Sequence, residues 1–100
     1  MEETRTKLVF IVFDQGVEPD VMEILQRVGL SHYTSWGDCV GSGETGTRQG
    51  TPIWPGLNTA VMIAMPEERV EPLREALHAM RATFPITPGL KIIITDGIII

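Results

Sequence analysis

Apolar and polar positions along this chain follow two different periods. Leu8-Val9-Phe10-Ile11-Val12-Phe13, Ala60-Val61-Met62-Ile63-Ala64-Met65 and Ile92-Ile93-Ile94 are unbroken apolar runs. Such runs mark strands that are covered on both faces, because a strand with one wet face alternates apolar and polar residues. They predict strands over residues 7–15 and 57–65 and a last strand starting near Leu90. A weaker, more polar run over 32–40, His32 to Val40, predicts one more. Two stretches have helical spacing instead. Val21, Ile24, Leu25 and Val28 fall at i, i+3, i+4 and i+7, behind Glu18-Pro19-Asp20 and ahead of Gly29. Proline and acids suit a helix start, and glycine suits the position just past its end. Val70, Leu73, Leu77, Met80 and Phe84 form the second stripe, stopped by Pro85 and Pro88-Gly89. Pro72 fits only a first turn, so this helix begins between Glu68 and Val70. Asp96-Gly97 reads as a turn, after which Ile98-Ile99-Ile100 folds back or pairs with a neighbouring subunit.

The order β-α-β-β-α-β predicts an α+β, ferredoxin-like fold: a four-stranded antiparallel sheet with both helices on one face. Two helices leave the other face uncovered, although three strands are apolar on both sides. Roughly ten apolar side chains would then meet water, each losing about 1.5–3 kcal/mol. Net stability of a small domain is only about 5–15 kcal/mol. Burial against another copy of the same chain resolves the mismatch, so the sequence predicts an obligate homo-oligomer.

The bulk properties narrow the function. One hundred residues fit a single domain spanning 1–100. A net charge of -5 with dispersed Lys and Arg argues against nucleic acid as a partner. A single cysteine, Cys39, precludes an internal disulfide and suits a reducing compartment. The polar start Met1-Glu2-Glu3-Thr4-Arg5-Thr6 does not read as a signal peptide, and no apolar run approaches the ~20 residues of a membrane span. The expectation is a cytoplasmic protein without membrane insertion.

Residues 41–56 contain five glycines and two prolines in sixteen positions and predict a long loop without elements. Gly41-Ser42-Gly43-Glu44-Thr45-Gly46 matches GxGxxG, but Thr47 to Gly56 cannot open a helix, so a dinucleotide fingerprint is rejected. Thr47 also stands where a phosphate loop needs lysine. Two readings stay open: an anion nest of backbone N–H groups aided by Arg48, or a flexible loop that contacts a partner. Trp54, in the same loop, suits either a partner surface or packing on the sheet edge. Trp36 reads as core or interface. His32 and Cys39 are about 23 Å apart along a strand and share no metal within one chain. His78 lies off its helix's apolar stripe and reads as a surface residue, and Cys39 reads as a small buried hydrophobe. No spacing characteristic of metal ligands occurs. Asp14 and Asp96 lie near strand ends, within reach of one another across the sheet, but read first as turn or cap residues. No catalytic residue is assigned.

Fold, length and loop placement, over about residues 7–95, resemble the PII superfamily of trimeric signalling proteins. The glycine-rich segment 41–56 stands where that family carries its T-loop. Gly41-Ser42-Gly43 looks like the turn that opens it, and Trp54-Pro55-Gly56-Leu57-Asn58 looks like its return in divergent PII-like proteins. The resemblance implies a non-enzymatic homotrimer, with an ATP-, ADP- or AMP-type effector in the cleft between subunits. It also implies a target protein (transporter, channel or enzyme) met through residues 41–56. Within it, Gly41, Ser42, Gly43 and Thr45 would supply backbone or hydroxyl contacts. Arg48 would meet an anion, and Trp54 and Asn58 would hold the loop base. The chain departs from the nitrogen regulators in its shorter loop and in Tyr33 being its only tyrosine. It also lacks their glycine-rich, lysine-bearing phosphate loop; residues 83–91 hold one glycine and Lys91. CutA-like metal-tolerance proteins share the trimeric architecture and form one alternative. A small dimeric ferredoxin-like enzyme forms the other.

Overall fold

The computed structural model describes residues 2–43, 46–48 and 57–100, with the backbone course alone for 41–43 and 46–48. The strands are β1 (Thr4–Asp14), β2 (Thr34–Cys39), β3 (Gly41–Gly43), β4 (Gly46–Arg48), β5 (Asn58–Met65) and β6 (Leu90–Ile99). The helices are α1 (Glu18–Val28) and α2 (Val70–Ala82), each preceded by a short 3-10 turn. The main sheet runs β2-β5-β1-β6, with antiparallel pairing throughout. This is the predicted ferredoxin-like arrangement.

Helix boundaries follow the residues. Asp14 opens the turn before α1 by accepting the Gly16 N–H at 2.9 Å, and Glu18 and Asp20 sit in the first turn of α1. Gly29 ends α1 at φ 84°, where a side chain is strained. Arg69, from the turn before α2, donates to the Val28 carbonyl at 2.6 Å and so joins the end of one helix to the start of the other. Pro72 falls in the first turn of α2, as its missing N–H requires.

Register assigns the two faces. Val9, Ile11 and Phe13 pair with Ile63, Val61 and Thr59. These six point at the helices and are essentially sealed, against Val21, Ile24 and Leu25 of α1 and Leu73 and Leu77 of α2. On the other side Phe10 lies between Met62 and Ile93, and Val12 between Ala60 and Lys91. Thr34 and Trp36 of β2 extend those same two rows. Leu8, Phe10, Val12, Ala60 and Met62 are half-buried there, while Trp36 and Ile93 are 47% and 51% exposed. No element among the described residues covers this face. Its apolar part is a central band rather than the whole surface, because β6 contributes Lys91, Thr95 and Gly97 beside Ile93.

Several expectations are corrected. β1 begins at Thr4, three residues early, and β6 runs through Asp96-Gly97 without turning. The early start of β1 supplies the template: Thr6 pairs with Gly97 and Thr4 with Ile99. Lys7 Nζ donates to Asp96 Oδ1 at 2.6 Å within this register, and Gly97 lacks the positive φ a tight hairpin turn demands. Asp96 therefore sits about 23 Å along the strand from the Asp14 end, and the two carboxylates do not meet. Asp14 keeps its turn role. β2 begins at Thr34 rather than His32. The segment 41–56 is not wholly without elements, since β3 and β4 pair as a short antiparallel ribbon, Gly41 opposite Arg48 and Gly43 opposite Gly46. Gly, Ser and Thr carry no apolar alternation, so local pairing over so short a span leaves no hydrophobic signal.

Candidate functional site at the loop base

Four strands converge at one end of the sheet: β1 and β2 finish there, and β5 and β6 begin. The β3–β4 ribbon leaves from the same place. Backbone bonds lock the convergence. The Asp14 N–H donates to the Gly89 carbonyl and the Gln15 N–H to the Leu57 carbonyl, each at 2.9 Å. The chain entering β5 and the chain entering β6 are thus both tied to the turn that leads into α1.

Side chains continue the network. Thr59, fully buried, donates through Oγ1 to Glu18 Oε2 at 3.1 Å. Gln15 Nε2 donates to Asp38 Oδ1, also at 3.1 Å. Asp38 has φ 56°, the left-handed region that few non-glycine residues adopt. It lies where the β2–β5 register shifts, between Trp36 and Cys39. The irregularity falls just before the loop departs, with Cys39 still paired to Asn58. Cys39 is half-buried, and its Sγ lies 3.5 Å from the Trp36 carbonyl oxygen and 3.8 Å from that of Gly37. That is the environment of a packed thiol, not of one paired with a base.

The electrostatics of this end are mainly acidic. Its described carboxylates are those of Asp14, Glu18 and Asp38. Each takes a donor: the Gly16 N–H, Thr59 and Gln15 respectively. Two described cations border it: Arg81, which donates to the Leu90 carbonyl at the start of β6 at 3.1 Å, and Lys91, on the open face opposite Val12. Among the described residues no group of three His, Cys, Asp or Glu side chains is placed to hold a metal ion. Such an end can hold a loop and orient its backbone. It has no nucleophile with an activating base among its described groups.

Of the residues singled out from the sequence, Asn58 is at the site, opposite both Asp14 and Cys39 in the register. Gly41, Ser42 and Gly43 form β3 and the backbone of Arg48 closes β4, directly beyond the site. Thr45 and Trp54 lie outside the described residues. Trp36, expected in core or interface, stands on the open face. His32 is exposed and apart from Cys39. His78 is on the surface of α2, 3.3 Å from Arg81 through its Nδ1. Sequence reasoning missed Gln15, Asp38, Thr59 and Gly89. Thr59 alone carried a readable signal: it is the one polar residue among the alternate positions Thr59, Val61, Ile63 and Met65 that face the core. The others are placed by a bulge and by backbone bonds, which leave no pattern in the sequence.

No family model and no curated protein matches this sequence. Solved structures do match in fold. CPII, a nitrogen regulatory PII-like protein from Thiomonas intermedia K12 bound to ADP, AMP and bicarbonate, superposes with a TM-score of 0.82 at 20% identity, over 99% of each chain. The apo form of the same protein gives 0.69 at 18% identity, over 97% of this chain and 96% of that one. A PII-like signalling protein from Thermus thermophilus gives 0.73 at 20% identity, over 100% of this chain and 94% of that one. The chain therefore has the fold of PII-like signalling proteins along its whole length, as its sequence implied.

Proposed function

We propose that this chain is a non-enzymatic, PII-like regulatory protein. It assembles as a homotrimer through the open sheet face and binds a small anionic effector of the adenine-nucleotide type between subunits at the loop base. It meets a target protein through residues 41–56 and works in the cytoplasm. The observation that carries this reading is the end-to-end likeness to CPII, which was solved with ADP, AMP and bicarbonate. Three features of the molecule support it. The central apolar band on the open face is the kind of surface that self-association buries. The ribbon leaves the sheet from a rigid, fully tied base, the arrangement in which a loop can change order without disturbing the fold. The base presents three carboxylates of its own, and a neighbouring subunit is one further source of cations beside Arg81 and Lys91 at its border. The likeness to CPII also favours the regulator over a metal-tolerance protein or a small dimeric enzyme.

In the site so proposed, Gly41, Ser42, Gly43 and Thr45 offer backbone and hydroxyl donors. Arg48 meets the anion, and Trp54 and Asn58 secure the loop. Among the described residues no helix is long and apolar enough to cross a membrane. Calorimetric titration of the whole protein with ADP, AMP and bicarbonate tests the effector. Saturable binding is expected, and Trp54→Ala abolishes it while leaving the assembly's mass unchanged. Absence of binding by all three, or unaltered binding in the variant, contradicts the reading.

A further inference from the structure

A second site lies on the opposite side of the sheet from the open face. α2 does not cover β6 completely, and between them is a cavity of about 300 Å³ lined by Arg74, His78, Arg81, Leu90, Ile92 and Ile94. We propose that this shelf binds a compact organic anion, a phosphate or carboxylate carried on a flat apolar body.

The chemistry is divided in a way that selects such a ligand. Arg74, His78 and Arg81 stand at i, i+4 and i+7 on α2, so they line one face over about 10 Å. Leu90, Ile92 and Ile94 are the helix-side positions of β6, all half-buried, and form an apolar floor. The outer side is open, because β6 is an edge strand whose neighbour in the sheet is β1. A bare inorganic ion would leave the floor wet, and a purely apolar molecule would strip water from the guanidinium groups without replacing it.

The polar rim is set in advance. Arg81 donates through one nitrogen to the Leu90 carbonyl at 3.1 Å, and its other terminal nitrogen lies 3.3 Å from His78 Nδ1. The guanidinium is thereby fixed between helix and strand. With His78 Nδ1 accepting that bond, its Nε2 carries the proton and is free to donate. Arg74 is the less tightly held member, 48% exposed, with Glu71 Oε2 at a loose 3.7 Å. Lys7 and Arg69, by contrast, are engaged at shorter range, on Asp96 and on the Val28 carbonyl, each at 2.6 Å. Two arginines and an imidazole N–H converging on one shelf make an anion-selective rim in a chain of net charge -5. The volume lies at the lower end of small-molecule pockets.

Phenyl phosphate is a suitable probe, with inorganic phosphate as its control, each titrated into the full chain while the His78 ring resonances are followed by NMR. The proposal expects saturable binding that shifts those resonances, and inorganic phosphate weaker by about tenfold. Arg74→Gln should weaken phenyl phosphate by about tenfold or more; Arg74 is half-exposed, and circular dichroism checks that the variant folds. Unmoved His78 resonances, equal binding of the two probes, or unaltered binding in Arg74→Gln would each overturn it. Because the shelf does not use the open face or the loop, phenyl phosphate should still bind where ADP and AMP do not. Loss of the loop-base reading and loss of this one are thus separate results.

Discussion

The sheet shows one set of strands to two different surroundings. On the helix side Val9, Ile11, Phe13, Val61, Ile63 and Met65 are at most 1% exposed. On the other side their alternate neighbours Leu8, Phe10, Val12 and Met62 are about as apolar, yet only half-buried, and Trp36 and Ile93 at the flanks are near half exposure. Strand composition is therefore no guide to whether a face is finished within the chain. What separates the faces is the number of helices available, and two helices seal β1 and β5 on one side. The unfinished side is where assembly has to be sought, and the sealed side is where single-chain stability resides.

Substitutions sharpen that contrast. Leu77→Ala empties a fully buried position between α2 and the sheet and should cost about 2–5 kcal/mol in urea unfolding, with no change in subunit count. A loss well below that range would mean the helix layer is not the core. Gly29→Ala acts on the joint between the two helices. It places a side chain at φ 84°, with the added carbon 2.6 Å from Arg69 Nη1, so Arg69 must leave Val28. The expected cost is about 1–2 kcal/mol, and a neutral result would contradict the capping geometry.

Thr59→Val tests the one polar exception on the sealed face. Removing the donor to Glu18 should cost about 1 kcal/mol and loosen the loop base, read as faster amide exchange at Gln15, whose N–H is bound to Leu57. Unchanged exchange would separate Thr59 from the site. The smallest effect is expected at Lys7 and Asp96, where the strands run past the helices and the pair is exposed. Their hydrogen bond, and then their mutual attraction, lowers the Asp96 pKa and raises that of Lys7. The Asp96 contribution is present above the ordinary carboxylate range and fades as pH falls through the lowered value. The Lys7 contribution is present below the ordinary lysine range and fades as pH rises through the raised one. The stability difference between wild type and Asp96→Asn should therefore be small, steady near neutrality, and gone at both extremes. A difference that persists in strong acid would contradict the pairing.

Much of this architecture was legible because it rests on periodicity. Helical spacing, proline and glycine at helix ends, and doubly apolar strands together give the order β-α-β-β-α-β. Misreadings arose where local chemistry and long-range pairing disagree. Asp96-Gly97 has turn composition, but β1, extended to Thr4, pairs with it and keeps the strand straight. The segment 41–48 has loop composition, yet pairs with itself. The site was harder to read than the fold for the same reason. Asn58 lies opposite Asp14 and Cys39 at the end from which the loop departs, and Thr59 betrayed itself as a polar residue in a core position. Gln15, Asp38 and Gly89 act through a bulge, a left-handed backbone and main-chain bonds, none of which has a residue pattern. His78 read as a surface residue of its helix, and the rim it forms with Arg74 and Arg81 takes its meaning from the strand that lies beneath it.

The central claim is that the open face is closed by other copies of this chain. Sedimentation velocity at micromolar concentration, on wild type and on Met62→Glu, tests it most directly, since Met62 stands in the apolar row between Thr34 and Phe10. The account predicts a wild-type mass of three chains and a folded, lighter species for the variant. A wild-type protein that sediments as one stable, folded chain would contradict it.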